Sequence, residues 1–501
     1  MAFLSEKEFL ALTTKGNLIP VYKEILGDLD TPVSAYFKIA KKSKYSFLLE
    51  SMEGEEKIAR FSFLARTPEL IFQTENHSVK ISRFHGKRVS HETHPIKSTP
   101  LTFIRKILQK YQFVNIEQLP RFCGGLVGYL SYDVVKYFEK IPSKTKNDLK
   151  LPDTLLVMAK ELIIFDHLNH NVKIVYCAYV DPKDTKAQKI TVYKQALKKI
   201  DLLIKELNRP LTAMPRTKVQ TAKLKIKSQT SEIKFKEMVT KAKRQIRSGE
   251  IIQVVLSQRF DVDLKTDPFN IYRTLRAINP SPYMFYLNFD GIQTIGASPE
   301  PLVRCENRIV ETRPIAGTRP RGKTSQEDDL LAKELLNDPK EKAEHIMLVD
   351  LGRNDLGRVC QKGTVRLSEF MSVERYSHVM HIVSNVTGKL QKNKDGLDVL
   401  QAAFPAGTVS GAPKIRAMEI IEDLEKTTRG PYAGCIAYFS FSGNLDSCIT
   451  IRTIVANKGK AYIQAGAGIV ADSNPKKEYQ ETVNKAKAQI MAVQLAHNQT
   501  H

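Results

Sequence analysis

Through roughly the first 180 residues, short apolar runs alternate with turn residues, and the alternation predicts strands at 45–50, 70–74, 155–165 and 172–180. Residues 184–208 spread charge and apolar side chains on a helical period and predict an amphipathic helix. The stretch 209–229 holds two prolines, many lysines and little periodicity, which reads as a linker. Ser231 then caps a helix whose apolar face is Phe235, Met238, Val239, Ala242 and Ile246, with Gly249 as its stop. Residues 251–257 form a continuous apolar run, the pattern of a buried strand. Beyond it strands and helices mix without a β-α-β rhythm. No Walker A string occurs, and no Gly-x-Gly-x-x-Gly opens a helix after a strand, which argues against a nucleotide fold. The chain thus divides into 1–208, the linker 209–229 and 230–501.

Composition narrows the class. A chain of 501 residues with 42% hydrophobic and 26% charged residues is ordinary for a water-exposed globular protein of two or three domains. No apolar run approaches the ~20 residues of a membrane span. The first residues carry acids and no long apolar stretch, unlike a signal peptide. Six scattered cysteines, at 123, 177, 305, 360, 435 and 448, form no Cys-x-x-Cys. That suits a reducing, cytoplasmic setting and argues against a disulfide framework or a thiolate zinc site. The net charge of +23 raises a nucleic-acid reading, but residues 183–249 hold 19 Lys/Arg against 5 Asp/Glu and so supply +14 of it. That segment has few aromatics to stack bases, so it reads as a solvated basic surface that attracts anionic substrates.

Two Glu-x-x-Glu faces carry candidate chemistry. Glu341 and Glu344 follow Asp338 and Pro339; Glu478 and Glu481 follow Asn474 and Pro475. Each begins with a cap residue and a proline at the first helical position. Residues three apart share a helix face. One pair alone is an ordinary solvated face. Two faces brought together offer four carboxylates to one hard cation, and magnesium fits because it completes its octahedron with water and substrate oxygens.

The second half also carries dense strings: Gln253-Val-Val-Leu-Ser-Gln-Arg, Gly296-Ala-Ser-Pro-Glu-Pro, Arg313-Pro-Ile-Ala-Gly-Thr-Arg-Pro-Arg-Gly322 and Ala343-Glu-His-Ile-Met-Leu-Val-Asp-Leu-Gly-Arg-Asn-Asp355. Downstream are Glu374-Arg-Tyr-Ser-His-Val-Met-His381, Pro405-Ala-Gly-Thr-Val-Ser-Gly411, Ile451-Arg-Thr453 and Ala465-Gly-Ala-Gly-Ile-Val470. The first half adds Leu48-Leu-Glu-Ser51 and Gly124-Gly-Leu-Val-Gly-Tyr129. Together, over nearly the whole chain, they resemble the chorismate-utilising enzymes, and among them the large subunits (component I) of anthranilate synthases.

The resemblance implies an α+β fold, with large antiparallel β-sheets packed face to face and helices outside. It implies magnesium on the ring carboxylate of chorismate, held by Glu344 and Glu481 and supported through water by Glu341 and Glu478. Arg452 would hold the enolpyruvyl carboxylate with two parallel donors. Tyr432 and the amides of Gly466, Ala467 and Gly468 would complete that pocket, and Gly317, Thr318 and Thr408 would also meet substrate. Glu300 matches the general acid for the leaving C4 hydroxyl, and His381 the base that removes the C2 proton, with His378 a rival in the same segment. The region 1–208 would hold a regulatory tryptophan site at Glu50 and Ser51, walled by Pro282, Tyr283 and Met284.

Two positions separate branches of the family. Isochorismate and salicylate synthases carry a water-activating lysine where this chain has Gln253, and many 4-amino-4-deoxychorismate synthases a nucleophilic lysine where it has Ala316. Both favour ammonia at C2, leaving aminodeoxychorismate synthase as the alternative. Departures at Glu250, Ala59, Lys476 and Lys477 lie outside the expected site. No cysteine sits in a Gly-x-Cys-x-Gly elbow, so ammonia is expected from solution or from a glutamine amidotransferase subunit in a heterotetramer. The chain contains no tryptophan, which suits an enzyme made when tryptophan is scarce.

Overall fold

Strands from both sides of the 209–229 segment are shared between two antiparallel sheets. The computed structural model describes residues 4–52, 60–86, 88–211, 224–376 and 379–498. Among these, each sheet has twelve strands. The first runs Leu18–Leu26, Asn171–Tyr179, Glu161–Asp166, Phe61–Arg66, Tyr45–Glu50, Tyr283–Phe289, Ile292–Ser298, Thr453–Asn457, Lys460–Ile469, Gln253–Asp263 and Ile226–Ser228, with Gly411–Ala412 beside Gln253. The second runs Ile315–Pro320, Val379–Lys389, Ile309–Thr312, Pro301–Glu306, Leu445–Ile449, Cys435–Ser440, Gly125–Leu130, Thr154–Ala159, Leu70–Glu75, Ser78–His85 and Arg88–Pro95, with Arg366–Arg375 beside Val379–Lys389.

The sheets face one another. Phe47, Phe63, Phe285, Leu287 and Phe289 of the first meet Ile71, Val127, Tyr129, Leu155 and Val157 of the second in one buried cluster. Each such side chain contributes roughly 1.5–3 kcal/mol on leaving water. Helices cover the outer faces. Lys186–Leu207 and Pro268–Ile278 bury their apolar stripes on the first sheet, and Leu101–Leu108 and Gly396–Ala403 on the second.

Local signals place several elements where they are expected. Tyr45–Glu50 is a strand, and Glu232–Arg247 is a helix whose cap Ser231 accepts the Lys234 N–H. Lys186–Leu207 begins at the capping box of Thr185. Three readings need correction. The run 155–165 is two strands, Thr154–Ala159 and Glu161–Asp166, in opposite sheets. The chain crosses at Lys160, whose buried ammonium pairs with Glu69 at 2.8 Å and lies over Tyr111. Because both strands are covered on both faces, the apolar pattern shows no break there. The apolar run 251–257 enters its strand only at Gln253 and continues to Asp263, while Ile252 is exposed. Within 209–229, residues 212–223 lie outside the described residues, as do Ala59 and His378, and Ile226–Ser228 pairs with Phe260–Val262 as an edge strand.

Two further crossings meet at a seam between the sheets. Ile292–Ser298 in the first sheet continues through Pro299 and Glu300 into Pro301–Glu306 of the second. Leu445–Ile449 in the second continues through Thr450, Ile451 and Arg452 into Thr453–Asn457 of the first. The crossings are stitched together: the Ile449 N–H donates to the Glu300 carbonyl at 3.0 Å, and Ser298 Oγ donates to the Ile449 carbonyl at 2.7 Å.

Candidate active site

At this seam lies a cavity of about 590 Å³, within the range of small-molecule sites. Glu300 and Arg452 reach it from the two crossings. Arg452 has φ +51°, a left-handed conformation that a non-glycine residue holds only when its surroundings over-determine it. Here its guanidinium donates to the Lys485 carbonyl at 3.0 Å. Two helices deliver the glutamates. Pro339–Gly357 starts where Asp338 accepts the N–H groups of Lys340 and Glu341; Pro475–Asn498 starts where Asn474 accepts those of Lys476 and Lys477. Glu341, Glu344, Glu478 and Glu481 all line the cavity, with Gly317, Thr318, His381, Thr408, Tyr432, Gly466 and Gly468. Ala467 does not. Its side chain lies on the opposite strand face, buried with Val254 and Ile469.

The glycines matter through close approach. Gly317 has φ +67°, and a Cβ there would lie 2.9 Å from Leu335 Cδ1 and 3.1 Å from Glu341 Oε2. A Cβ on Gly466 would lie 2.7 Å from the Tyr432 hydroxyl, and one on Gly468 2.6 Å from Gln253 Nε2.

Electrostatics give the side chains different protonation states. Burial pushes the Glu300 carboxyl up to about 7, against the Thr408 hydroxyl that donates to it at 2.9 Å and the charge of Lys485. Glu300 is thus an acid near neutrality. Burial lowers His381, and the charge of Arg452 adds to this, while the Gly317 carbonyl opposes it. His381 Nδ1 lies 2.8 Å from that carbonyl, which only accepts, so Nδ1 carries the hydrogen and Nε2 keeps its lone pair. Burial raises Glu341 and Glu478, and the neighbouring charges of Glu344 and Glu481 raise them further. Burial also pushes the Tyr432 hydroxyl up to about 12.

The four glutamates of the two helices thus face one cavity, and carboxylates are the type of oxygen donor that hard cations take. Glu344 accepts the Gln253 amide at 3.1 Å, and Glu481 pairs with Lys485 at 2.6 Å. Among the described residues, no three His, Cys, Asp or Glu side chains are drawn together as a complete ligand set.

Sequence reasoning overlooked Lys485, although its i,i+4 spacing from Glu481 places it on the same helix face. Its ammonium also donates to the Gly466 carbonyl at 3.2 Å. Lys340, Gln464 and Ser473 line the cavity too. The amide oxygen of Gln253, a cavity-lining residue only 5% exposed, has no hydrogen-bond partner among the described residues.

A second pocket, about 70 Å³, lies between the sheets. Glu50, Ser51, Pro282, Tyr283 and Met284 line it with Phe61, Phe63 and Tyr438. Glu50 is held by Tyr272 and Arg276, whereas the Ser51 hydroxyl has no partner among the described residues.

Comparison with known proteins identifies the family and the fold. The family model described as chorismate binding enzyme matches residues 46–491. The anthranilate synthase component 1 of Acetivibrio thermocellus is 48% identical, over 96% of this chain and 96% of the relative. That of Aquifex aeolicus is 47% identical, over 98% of each. The crystal structure of anthranilate synthase component I from Streptococcus pneumoniae superposes with a TM-score of 0.75 at 37% identity, covering 93% of this chain and 99% of that one. The menaquinone-specific isochorismate synthase of Escherichia coli shares the fold, with a TM-score of 0.69 at 19% identity over 98% of each chain.

Proposed function

The chain belongs to the chorismate-binding enzyme family, and on that footing we propose that it is the large subunit of an anthranilate synthase, converting chorismate and ammonia to anthranilate and pyruvate. The observation that carries this reading is one cavity holding an acid and a base in complementary states: Glu300 raised to about 7 and His381 with its hydrogen on Nδ1 and a lone pair on Nε2. In the first step the C2–N bond forms and the C4–O bond breaks. Glu300 gives its proton so that the hydroxyl leaves as water. In the second step His381 Nε2 takes the C2 proton as the ether C–O bond breaks, pyruvate departs and the ring becomes aromatic. Arg452 and Tyr432 orient the enolpyruvyl carboxylate. The unpaired Gln253 oxygen accepts an N–H of the incoming ammonia, and Ala316 puts a methyl, not an amine, on the cavity wall.

Glu344 and Glu481 would hold magnesium directly, with Glu341 and Glu478 acting through water. Such an ion uses few protein carboxylates and keeps other positions for water and substrate, so four separated glutamates suit it. When bound, it supplies positive charge that draws the ring carboxylate into an acidic wall.

Tryptophan is proposed as the feedback inhibitor at Glu50, Ser51 and Pro282–Met284, where the Ser51 hydroxyl, without a partner among the described residues, offers a polar contact beside aromatic walls. A separate glutaminase subunit is proposed as the ammonia source. All six cysteines are free buried thiols, and no described helix is long and apolar enough to cross a membrane, which favours a cytoplasmic setting.

The test is incubation of the purified chain with chorismate, magnesium and ammonium salts. Fluorescent anthranilate and pyruvate are expected in equal amounts, and glutamine is expected to replace ammonium only after a glutaminase subunit is added. Formation of a 4-amino product without pyruvate would refute this reading.

A further inference from the structure

Behind Glu300 lies a smaller chamber of about 40 Å³. Glu300, Thr408 and Leu348 line both it and the large cavity, so they form the partition between them. Its other polar wall groups are Asp355, Thr312 and Arg313. We propose that Asp355 is a positioning residue that returns a proton to Glu300 through water held in this chamber. The inference rests on the anthranilate synthase reading, since it concerns the acid that reading employs.

The volume suffices for roughly two or three waters at 10–15 Å³ each, and a buried water needs two to four polar partners. Carboxyls at 300 and 355 and hydroxyls at 312 and 408 supply them. Asp355 is held in place: Lys414 donates to it at 2.9 Å and also to the Ala403 carbonyl at 3.3 Å. Both side chains of this pair are about one-eighth exposed, at 12% for Lys414 and 13% for Asp355. Burial raises the Asp355 carboxyl, while Lys414 and Arg358 oppose it. Lys485, Arg452 and His381 share the large cavity with Glu300, and Arg313 shares the chamber.

The chemistry needs such a return. Each turnover forms C2–N, breaks C4–O and sends the Glu300 proton out in water, leaving a carboxylate. The nitrogen on C2 gives up one proton, and Glu300 must gain one, so the sum is ammonia in and water out. While a dianionic substrate fills the large cavity, the chamber gives Glu300 a second set of polar neighbours.

Steady-state kinetics of the full chain with chorismate and ammonium at fixed free ammonia test this. Asp355→Asn is expected to lower kcat about tenfold at pH 8, with the chorismate KM within about twofold, a loss that shrinks toward pH 6 and a larger solvent isotope effect. Asp355→Glu should restore most of the rate. Because Asp355→Asn strands the Lys414 charge, Ala406→Val provides a second test: it takes up chamber volume while leaving both members of the pair in the chain, and should reproduce the pH-dependent loss. Wild-type kcat and pH profile in both variants, or a pH-independent loss with an unchanged isotope effect, would overturn the relay. A wild-type chain that makes no anthranilate would instead overturn the reading beneath it.

Discussion

The two pockets that hold the sequence-derived sites differ in what keeps them apart from the core. The cavity at the seam spans about 590 Å³ and is walled by five glutamates, two lysines and an arginine. The pocket between the sheets spans about 70 Å³ and is walled largely by aromatic and aliphatic side chains. Charged walls cannot close on one another, because like carboxylates repel and each head keeps its water. Apolar walls close because contact is favourable. A benzene ring occupies an apolar cavity of roughly 150 Å³, so an indole enters the smaller pocket only by moving its walls apart. On the proposed reading, the open site would accept its ligand as it stands, whereas the closed one would couple its ligand to a second arrangement of the sheets, as inhibition at a distance requires.

Breaking the charged wall is expected to have the largest effect. Glu344→Ala and Glu481→Ala should each lower turnover by roughly 10³-fold or more, since a Lewis-acid ion contributes several kcal/mol to charge stabilisation. Their thermal melts should move little, because each loses a repulsion with its neighbouring glutamate along with one hydrogen bond or ion pair. Undiminished turnover of the wild type in excess EDTA would refute the metal assignment.

Next comes the acid. Glu300→Gln should cost roughly 10²–10⁴ in kcat. With its carboxyl raised from 4.5 to about 7, wild-type kcat at saturating ammonia should fall as pH rises through 7. The stability linkage has the same sign. The folded state keeps a proton between pH 4.5 and 7 that the unfolded chain has lost, so this stabilisation is full below 4.5 and gone above 7. Glu300→Gln should therefore melt higher than wild type at pH 8; a lower melt would contradict the raised carboxyl.

His381→Met should slow the second step more than the first. Chorismate and ammonia should be consumed while the amino intermediate accumulates and pyruvate lags. Pyruvate and anthranilate appearing together at the normal rate would place the base elsewhere, with His378 the next residue to substitute.

The smallest effect on uninhibited turnover is expected from the apolar pocket. Ser51→Phe fills it, and should leave kcat within about twofold of wild type while removing tryptophan inhibition, since additivity holds for distant sites. Retained inhibition by tryptophan would show that the inhibitor binds elsewhere.

The same contrast separates what was legible in the sequence. Polar punctuation was readable: Asp338 with Pro339 and Asn474 with Pro475 announce the two acidic helices, and Ser231 announces Glu232–Arg247. Apolar pattern was readable only where one element faces one core. At 155–165 both neighbouring strands are buried on both faces, so a crossing between sheets left only Lys160 as its mark. Ala467 stands between two cavity glycines in the sequence, yet period-two alternation points its side chain to the other face. Lys485 is hard to single out in a lysine-rich chain, because only the folded site shows which carboxylate its charge balances. Which strand pairs with which, as in Glu50 beside Met284, has no local signal at all.

That pairing has a consequence for how the polypeptide is made. On the emerging chain, Tyr45–Glu50 can pair with Phe61–Arg66 at once, but its other edge waits for Tyr283–Phe289, which in turn needs Ile292–Ser298 and then Thr453–Asn457. During synthesis at ~5–20 residues per second, an apolar strand edge stays open for tens of seconds. An open edge of this kind recruits other chains. The nascent protein thus has an edge to protect until nearly all of its sequence has left the ribosome, and a chain cut short within its last third is expected to aggregate rather than to form a smaller working enzyme.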